Sequence, residues 1–160
     1  MSAPLIVILM GSKADLSHCQ KIAEAAGQLG IDVIQRIGSA HKTPAHVLAL
    51  LSEYEASSRP VVYITVAGRS NALSGFVDGA VSAPVIACPP PAEAFGGADL
   101  YSSLRMPSGI APALVLDPAN AALLAAKILA LAEPALRERI VAFQRQQAQK
   151  VIDDDAIQNA

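Results

Sequence analysis

The sequence predicts a three-layer α/β fold, a parallel sheet with helices on both faces, followed by a C-terminal helical extension. Strand-sized apolar runs alternate with helix-length amphipathic stretches along the 160 residues, which is the order of repeated βαβ units. Most of these runs are continuously aliphatic rather than alternating, as expected for strands covered on both faces. Together these features place the chain among flavodoxin-like or Rossmann-like folds.

Taken in order, the strands are expected over residues 5–10, 32–37, 61–66, 84–87 and 113–116. Residues 15–29 set Leu16, Cys19, Ile22, Ala23, Ala26 and Leu29 at helical spacing, and Gly30 supplies a stop. Thr43 is expected to cap the next helix, with Pro44 at its first position and Val47, Leu48, Leu51 and Tyr54 along its apolar face. A shorter helix is expected over 71–81, and two more over 118–131 and 134–152, the last rich in Arg and Gln and therefore half exposed. Pro89-Pro90-Pro91 and Gly96-Gly97 break the periodicity without a shift in composition, which predicts a functional loop rather than a domain boundary. Residues 153–155 are expected to begin a frayed tail.

A chain of 160 residues forms one domain by default and buries roughly 70% of its unfolded surface. Apolar residues make up 52% of it and charged ones 16%, more apolar than a lone small sphere needs, so some surface is expected to meet other subunits. No apolar run approaches the roughly 20 residues of a membrane span. No basic stretch followed by an apolar one opens the chain, so it is expected to stay in the cytoplasm where it is made. Cys19 and Cys88 are too few and too far apart for a metal knuckle or a disulfide framework. A net charge of −2 with scattered Lys and Arg leaves no footprint for nucleic acid. Small-molecule chemistry is the class that remains.

In open parallel sheets, ligands bind outside the carboxyl ends of the strands, so a site is expected in the segments that follow the runs. After the first stands Gly11-Ser12-Lys13-Ala14-Asp15, where glycine admits a close ligand and a helix N-terminus offers N–H groups to a phosphate. Equally, Ser12 and Asp15 serve as helix caps. The segment has neither the spaced glycines of a dinucleotide fingerprint nor the Gly-Lys-Ser/Thr of a nucleoside-triphosphate loop.

After the second run stands Gly38-Ser39-Ala40-His41-Lys42-Thr43-Pro44, with an imidazole able to exchange a proton near neutrality, or else a loop histidine bonded to backbone. After the third stands Ala67-Gly68-Arg69-Ser70-Asn71-Ala72-Leu73-Ser74-Gly75, small residues that let backbone approach a planar ring, or a tight turn capped by Asn or Ser. Arg69 is available to the cleft, to Asp78 or to another subunit. His18 and His46 fall within helical patterns, where partly exposed structural roles are expected. Cys88 has no histidine partner nearby in sequence and is expected to be a small buried apolar residue.

In order and over nearly the whole chain, Met10-Gly11-Ser12 with Asp15, Gly38 through Thr43, Ala67 through Gly75, and Ser103-Leu104-Arg105-Met106-Pro107-Ser108-Gly109 resemble the aminoimidazole ribonucleotide carboxylase family. That family has a branch of mutases, which move a carboxylate from a carbamate substrate, and a branch of carboxylases that take CO2 directly. Mutases carry roughly Ala-Gly-Gly-Ala-Ala-His-Leu-Pro-Gly after strand three, where this chain has Ala72 at the histidine position and Arg69, Ser70 and Asn71 before it. Lys42 also stands where mutases usually have Arg, and Lys cannot reproduce a bidentate fork. Both features resemble the direct carboxylases. Ala14 departs from the second Ser common in the mutase motif, which removes a hydroxyl from the phosphate cradle.

The resemblance implies reversible addition of CO2 to aminoimidazole ribonucleotide, with no metal, ATP or organic cofactor and with His41 as general acid and base. It implies substrate contacts from Gly11, Ser12, Asp15, Ser39, Ala40 and Lys42. Ala67, Gly68, Arg69, Ser70, Asn71 and Leu73 would wall the ring and CO2. Met106 and Pro107 would close the pocket from a neighbouring subunit of a homo-octamer, on which helix 134–152 would also pack. The alternatives are a mutase using the carbamate and, from another class, a flavodoxin-like binding or signalling module. Against the second, Thr65-Val66-Ala67-Gly68 stands where a phosphoacceptor Asp would be needed, and 4% aromatics leave little to wall a flavin.

Overall fold

A computed structural model describes residues 3–159. It contains one five-stranded parallel sheet built from β1 (Leu5–Met10), β2 (Asp32–Ile37), β3 (Val61–Val66), β4 (Val85–Ala87) and β5 (Ala113–Leu114) in the order β2-β1-β3-β4-β5. This is the flavodoxin-like order. The chain leaves β1 toward β2 on one side and then crosses to β3 on the other, so a switch point lies between β1 and β3. In register, Met10 stands beside both Ile37 and Val66. Three loops therefore leave the sheet at one level.

The helices are α1 (Leu16–Gln28), α2 (Pro44–Glu55), α3 (Ala72–Asp78), α4 (Pro118–Leu129) and α5 (Pro134–Gln158). Strand periodicity divides the core between the two faces. Ile6, Ile8, Met10, Val62, Ile64, Val66 and Ile86 meet α1, α4 and the start of α5 on one face. Leu5, Val7, Leu9, Tyr63 and Val85 meet α2 and α3 on the other. Ala26 of α1 and Ala121, Ala122, Ala125 and Ala126 of α4 are all fully buried, and such small side chains let helices approach closely on a shared face.

The edge strand β2 is held by side chains at both ends. Arg36 donates to the Tyr54 hydroxyl at 2.7 Å with its guanidinium over the ring, and Arg59 pairs with Asp32. Such polar ties suit a strand with one open edge.

Several expected boundaries shift. The fourth strand begins at Val85 rather than at residue 84, because Pro84 has no N–H to give the ladder, although its carbonyl accepts from Tyr63 at 3.0 Å. The fifth stops at Leu114, after which one more ladder bond joins Val115 to Ala87 before Asp117 turns the chain into α4. Asp117 accepts from the Asn120 N–H as the cap of that helix. The third helix ends at Asp78, and Gly79 is its C-cap.

Residues 153–155, expected to fray, lie inside α5. Gln149 donates to Asp153 at 2.8 Å one turn on, the spacing at which helical side chains meet. Leu136 and Ile140 anchor this helix in the core, and Arg139 donates to the Leu29 carbonyl at 2.8 Å. From Gln144 onward its side chains are exposed. The glycine-proline loop contains a 3-10 segment, Ala94–Ser103, with Phe95, Gly96 and Gly97 all at positive φ.

Candidate active site

Beyond β1, the chain turns sharply into α1. The Ser12 hydroxyl accepts from the Ala14 N–H at 3.3 Å and lies 3.4 Å from the Asp15 carboxylate. Ser12 therefore does cap a short 3-10 turn, as one of its two readings expected. Asp15 stands at the N-cap position of α1 but makes no side-chain cap bond, and this half-exposed residue lines a cleft shared with the next two loops.

The loop beyond β2 is stitched by its own side chains. The Ser39 N–H donates to the Thr43 hydroxyl at 3.0 Å, that hydroxyl lies 3.3 Å from the Ser39 carbonyl, and the Lys42 N–H donates to the Ser39 hydroxyl at 3.2 Å. Thr43 is the N-cap residue of α2 with Pro44 at the first helical position, as expected, but its hydroxyl is committed to Ser39 and makes no cap bond to the helix. Ala40, His41 and Lys42 occupy the resulting turn, with His41 and Lys42 exposed at its tip. The hydroxyl of Ser39 accepts from Lys42 and still has a proton to donate.

Beyond β3, Arg69 adopts a left-handed backbone with φ of 60°. Its N–H donates to the Asp99 carboxylate at 2.9 Å. Asn71, the N-cap residue of α3, is buried and donates through its amide nitrogen to Ser103 at 2.6 Å, so its side chain makes no cap bond to the helix. Asn71 Oδ1 and the Ser74 hydroxyl have no partner among the described residues. Behind this loop Gly68 faces Pro90, whose Cγ would lie 3.6 Å from a Cβ placed there.

The three loops enclose one cleft of about 430 Å³ at the switch point. Gly11, Ser12 and Asp15 line it from the first loop. Ser39, Ala40, His41 and Lys42 line it from the second, and the run from Ala67 to Leu73 from the third. Every residue singled out in these three segments for catalysis or substrate binding is there, joined by Ala14 and Ala72. Lys42 and Arg69 supply donors and positive charge, His41 an imidazole, and Asp15 a carboxylate. That set suits a phosphate and a sugar diol together.

Met106 and Pro107 do not line the cleft of their own chain. Met106 packs on α3, its sulfur 3.0 Å from where a Cβ on Gly75 would stand, and Pro107 is exposed. Arg69 does not pair with Asp78, which instead accepts from the Ala111 N–H at 2.7 Å. Among the described residues no group of three or more His, Cys, Asp or Glu is placed to hold a metal ion.

Two expectations about isolated residues need correction. His18 is buried, not partly exposed, and its Nε2 lies 3.4 Å from the Cys88 sulfur, so Cys88 does have a histidine partner. The first turn of α1 crosses the end of β4, a proximity over 70 residues that sequence distance conceals. Burial and, after it, Lys21 lower the imidazole's pKa, and burial pushes the Cys88 thiol up to about 12. A thiol so placed is a packed apolar group rather than a nucleophile, as expected of Cys88. His46 is exposed on α2, away from the cleft. Of the residues that brace the third loop, Ser103 opens the motif running to Gly109, whereas Asp99 and Ser102 carried no periodic or motif signal.

A family model described as AIR carboxylase matches residues 5–150. Over 153 residues the chain is 58% identical to a phosphoribosylaminoimidazole carboxylase of Treponema denticola, covering 96% of each. It is 55% identical over 149 residues to another protein of that name from Archaeoglobus fulgidus, covering 93% of this chain and 82% of the relative. A crystal structure of Treponema denticola PurE superposes with a TM-score of 0.94 at 58% identity, over 96% of this chain and 97% of that one.

Proposed function

This chain belongs to the AIR carboxylase family, and on that footing we propose that it adds CO2 itself to aminoimidazole ribonucleotide, reversibly giving carboxyaminoimidazole ribonucleotide, with His41 as the proton carrier. The observation that carries this reading is the meeting of His41, Asp15 and the Ala67-to-Leu73 loop around one cleft at the switch point.

The ring carbon of the substrate is enamine-like and attacks the carbon of CO2. One C–C bond forms, a C=O π pair moves onto oxygen, and the ring carbon becomes tetrahedral while still holding its hydrogen. His41 takes that proton, and the C–H electrons restore the aromatic ring. In the reverse direction the imidazolium returns the proton to the ring carbon, and CO2 departs. Nucleophile and electrophile are both reactive enough that the chemistry calls for neither ATP nor a metal.

Asp15 accepts from the ribose hydroxyls, while Ser12, Ser39 and Lys42 hold the phosphate with the backbone of Gly11 and Ala40. Ala67, Gly68, Arg69, Ser70, Asn71 and Leu73 wall the ring and the CO2, where a site shielded from water favours an apolar reactant. The choice of CO2 over the carbamate rests on Ala72, which occupies the cleft where mutases carry histidine, and on Lys42.

The working enzyme is a cytoplasmic homo-octamer in this proposal, without nucleic-acid partners. Met106 and Pro107 of a neighbouring subunit close the cleft, and the far half of α5 packs on a neighbour. Support comes from exposed apolar side chains on that helix, Val151, Ile152 and Ile157, and on the 3-10 segment, Phe95 and Tyr101. No helix among the described residues is long and apolar enough to cross a membrane.

The test supplies aminoimidazole ribonucleotide with CO2 or bicarbonate in one reaction and the carbamate in another, each corrected for spontaneous breakdown. Carboxylation in the first alone is expected. Turnover of the carbamate alone would identify a mutase.

A further inference from the structure

We propose that Asp99 is a positioning residue for the cleft, acting through the backbone of Arg69; this rests on the cleft being the nucleotide site. The 3-10 segment holds the loop after β3 at two nearby residues. Asp99 Oδ2 accepts from the Arg69 N–H at 2.9 Å. The Ser102 hydroxyl sits between two carbonyls, 2.7 Å from that of Asp99 and 3.2 Å from that of Arg69, with one proton to share. One residue on, buried Ser103 accepts from buried Asn71 at 2.6 Å.

Arg69 is where such bracing is needed. Its φ of 60° lies in the left-handed region that side chains other than glycine seldom enter, and such a backbone persists only where its surroundings hold it. A carboxylate bonded to the N–H and a hydroxyl at the C=O fix the peptide planes on both sides of the residue. These planes decide which way Arg69 and Ser70 face, and both line the cleft. The bond to Asp99 is the stronger of the two holds because its acceptor is ionised.

Asp99 does not itself line that cleft. It borders a smaller chamber of about 240 Å³ on the other side of Ala67 and Gly68, walled by Pro89, Pro90 and Pro91. It also borders, with Arg69 and Ser70, an open groove of about 720 Å³, so the Asn variant, which removes the same charge as Ala but keeps an acceptor, is what isolates the hydrogen bond to Arg69.

The test compares Asp99→Ala with Asp99→Asn in the full-length protein by amide hydrogen exchange at Arg69, calorimetric affinity for aminoimidazole ribonucleotide, and thermal melting. Asp99→Ala should speed exchange of the Arg69 amide about tenfold or more, since a hydrogen bond to a charged group is lost. It should weaken nucleotide affinity about tenfold by the same loss, with the melting temperature little changed. Asp99→Asn keeps an amide oxygen that can accept the same bond and should restore both readings to within about threefold.

Unchanged exchange at Arg69 in Asp99→Ala overturns the proposal. So does faster exchange with unaltered affinity, or an Asn variant as impaired as the Ala variant. A wild-type protein that binds the nucleotide but carboxylates nothing would sink the enzymatic reading alone, because exchange and affinity still decide the role of Asp99.

Discussion

Gly38 and Val47 approach so closely that a Cβ built on the glycine would lie 2.7 Å from Val47 Cγ2. Val47 is fully buried and its β-branched side chain has little rotamer freedom, so it cannot step aside. Gly38 is also the hinge between β2 and the loop carrying His41, and its N–H continues the ladder to the Met10 carbonyl at 2.9 Å. Gly38→Ala should cost about 1–3 kcal/mol by overpacking, read as a lower urea midpoint at constant m-value. It should also lower carboxylation by displacing the loop.

Among the described residues, Asp15 is the only carboxylate lining the cleft. Asp15→Ala should weaken nucleotide binding roughly 10- to 100-fold, the range expected when hydrogen bonds to a charged acceptor are lost. Calorimetry checks this, and unchanged affinity would remove Asp15 from the site.

The burial of His18 predicts a pH dependence of stability. Burial lowers the folded-state pKa of His18 below its usual 6.5, and Lys21 adds to this, while Cys88, Asp15 and Asp117 oppose it. The unfolded chain therefore binds the proton more readily, and stability rises with pH across that window. The contribution is complete above about 6.5 and is lost as pH falls toward the lowered value. Urea midpoints measured between pH 5 and 8 should fall on the acid side, and His18→Gln should flatten that slope.

Much of the fold and of the cleft was legible in the sequence. Continuous runs such as Leu5–Met10 and Val61–Val66 announced buried parallel strands, and the rule that ligands gather beyond strand ends led directly to Asp15, His41 and Asn71. Long-range contacts were not legible. Nothing periodic links Asp99 to Arg69 or His18 to Cys88, since those pairs depend on crossovers whose geometry only the folded sheet supplies. Nor did propensity disclose that Thr43 spends its hydroxyl on Ser39 instead of on α2, because the two options satisfy backbone equally well locally. The tail at 153–155 stays helical through contacts one turn apart, such as Gln149 with Asp153, that tail position alone would not suggest.

Removing residues 144–160 should separate folding from assembly. No described side chain in that stretch is buried, so the urea midpoint at low protein concentration should change little, with helical signal lost only in proportion to the part of α5 removed. If Val151, Ile152 and Ile157 contact a neighbour, the truncated protein should sediment as smaller species than the full chain. An unchanged sedimentation coefficient, allowing for the lost mass, would leave α5 out of the assembly.

The most direct measurement is turnover by His41→Asn alongside its affinity for aminoimidazole ribonucleotide. Asn keeps a polar side chain of similar size but has no titrating nitrogen. CO2 addition and release should both fall by about 100- to 10,000-fold, the range general acid–base catalysis contributes, with nucleotide affinity nearly unchanged. Near-native carboxylation by that variant would contradict the role given to His41.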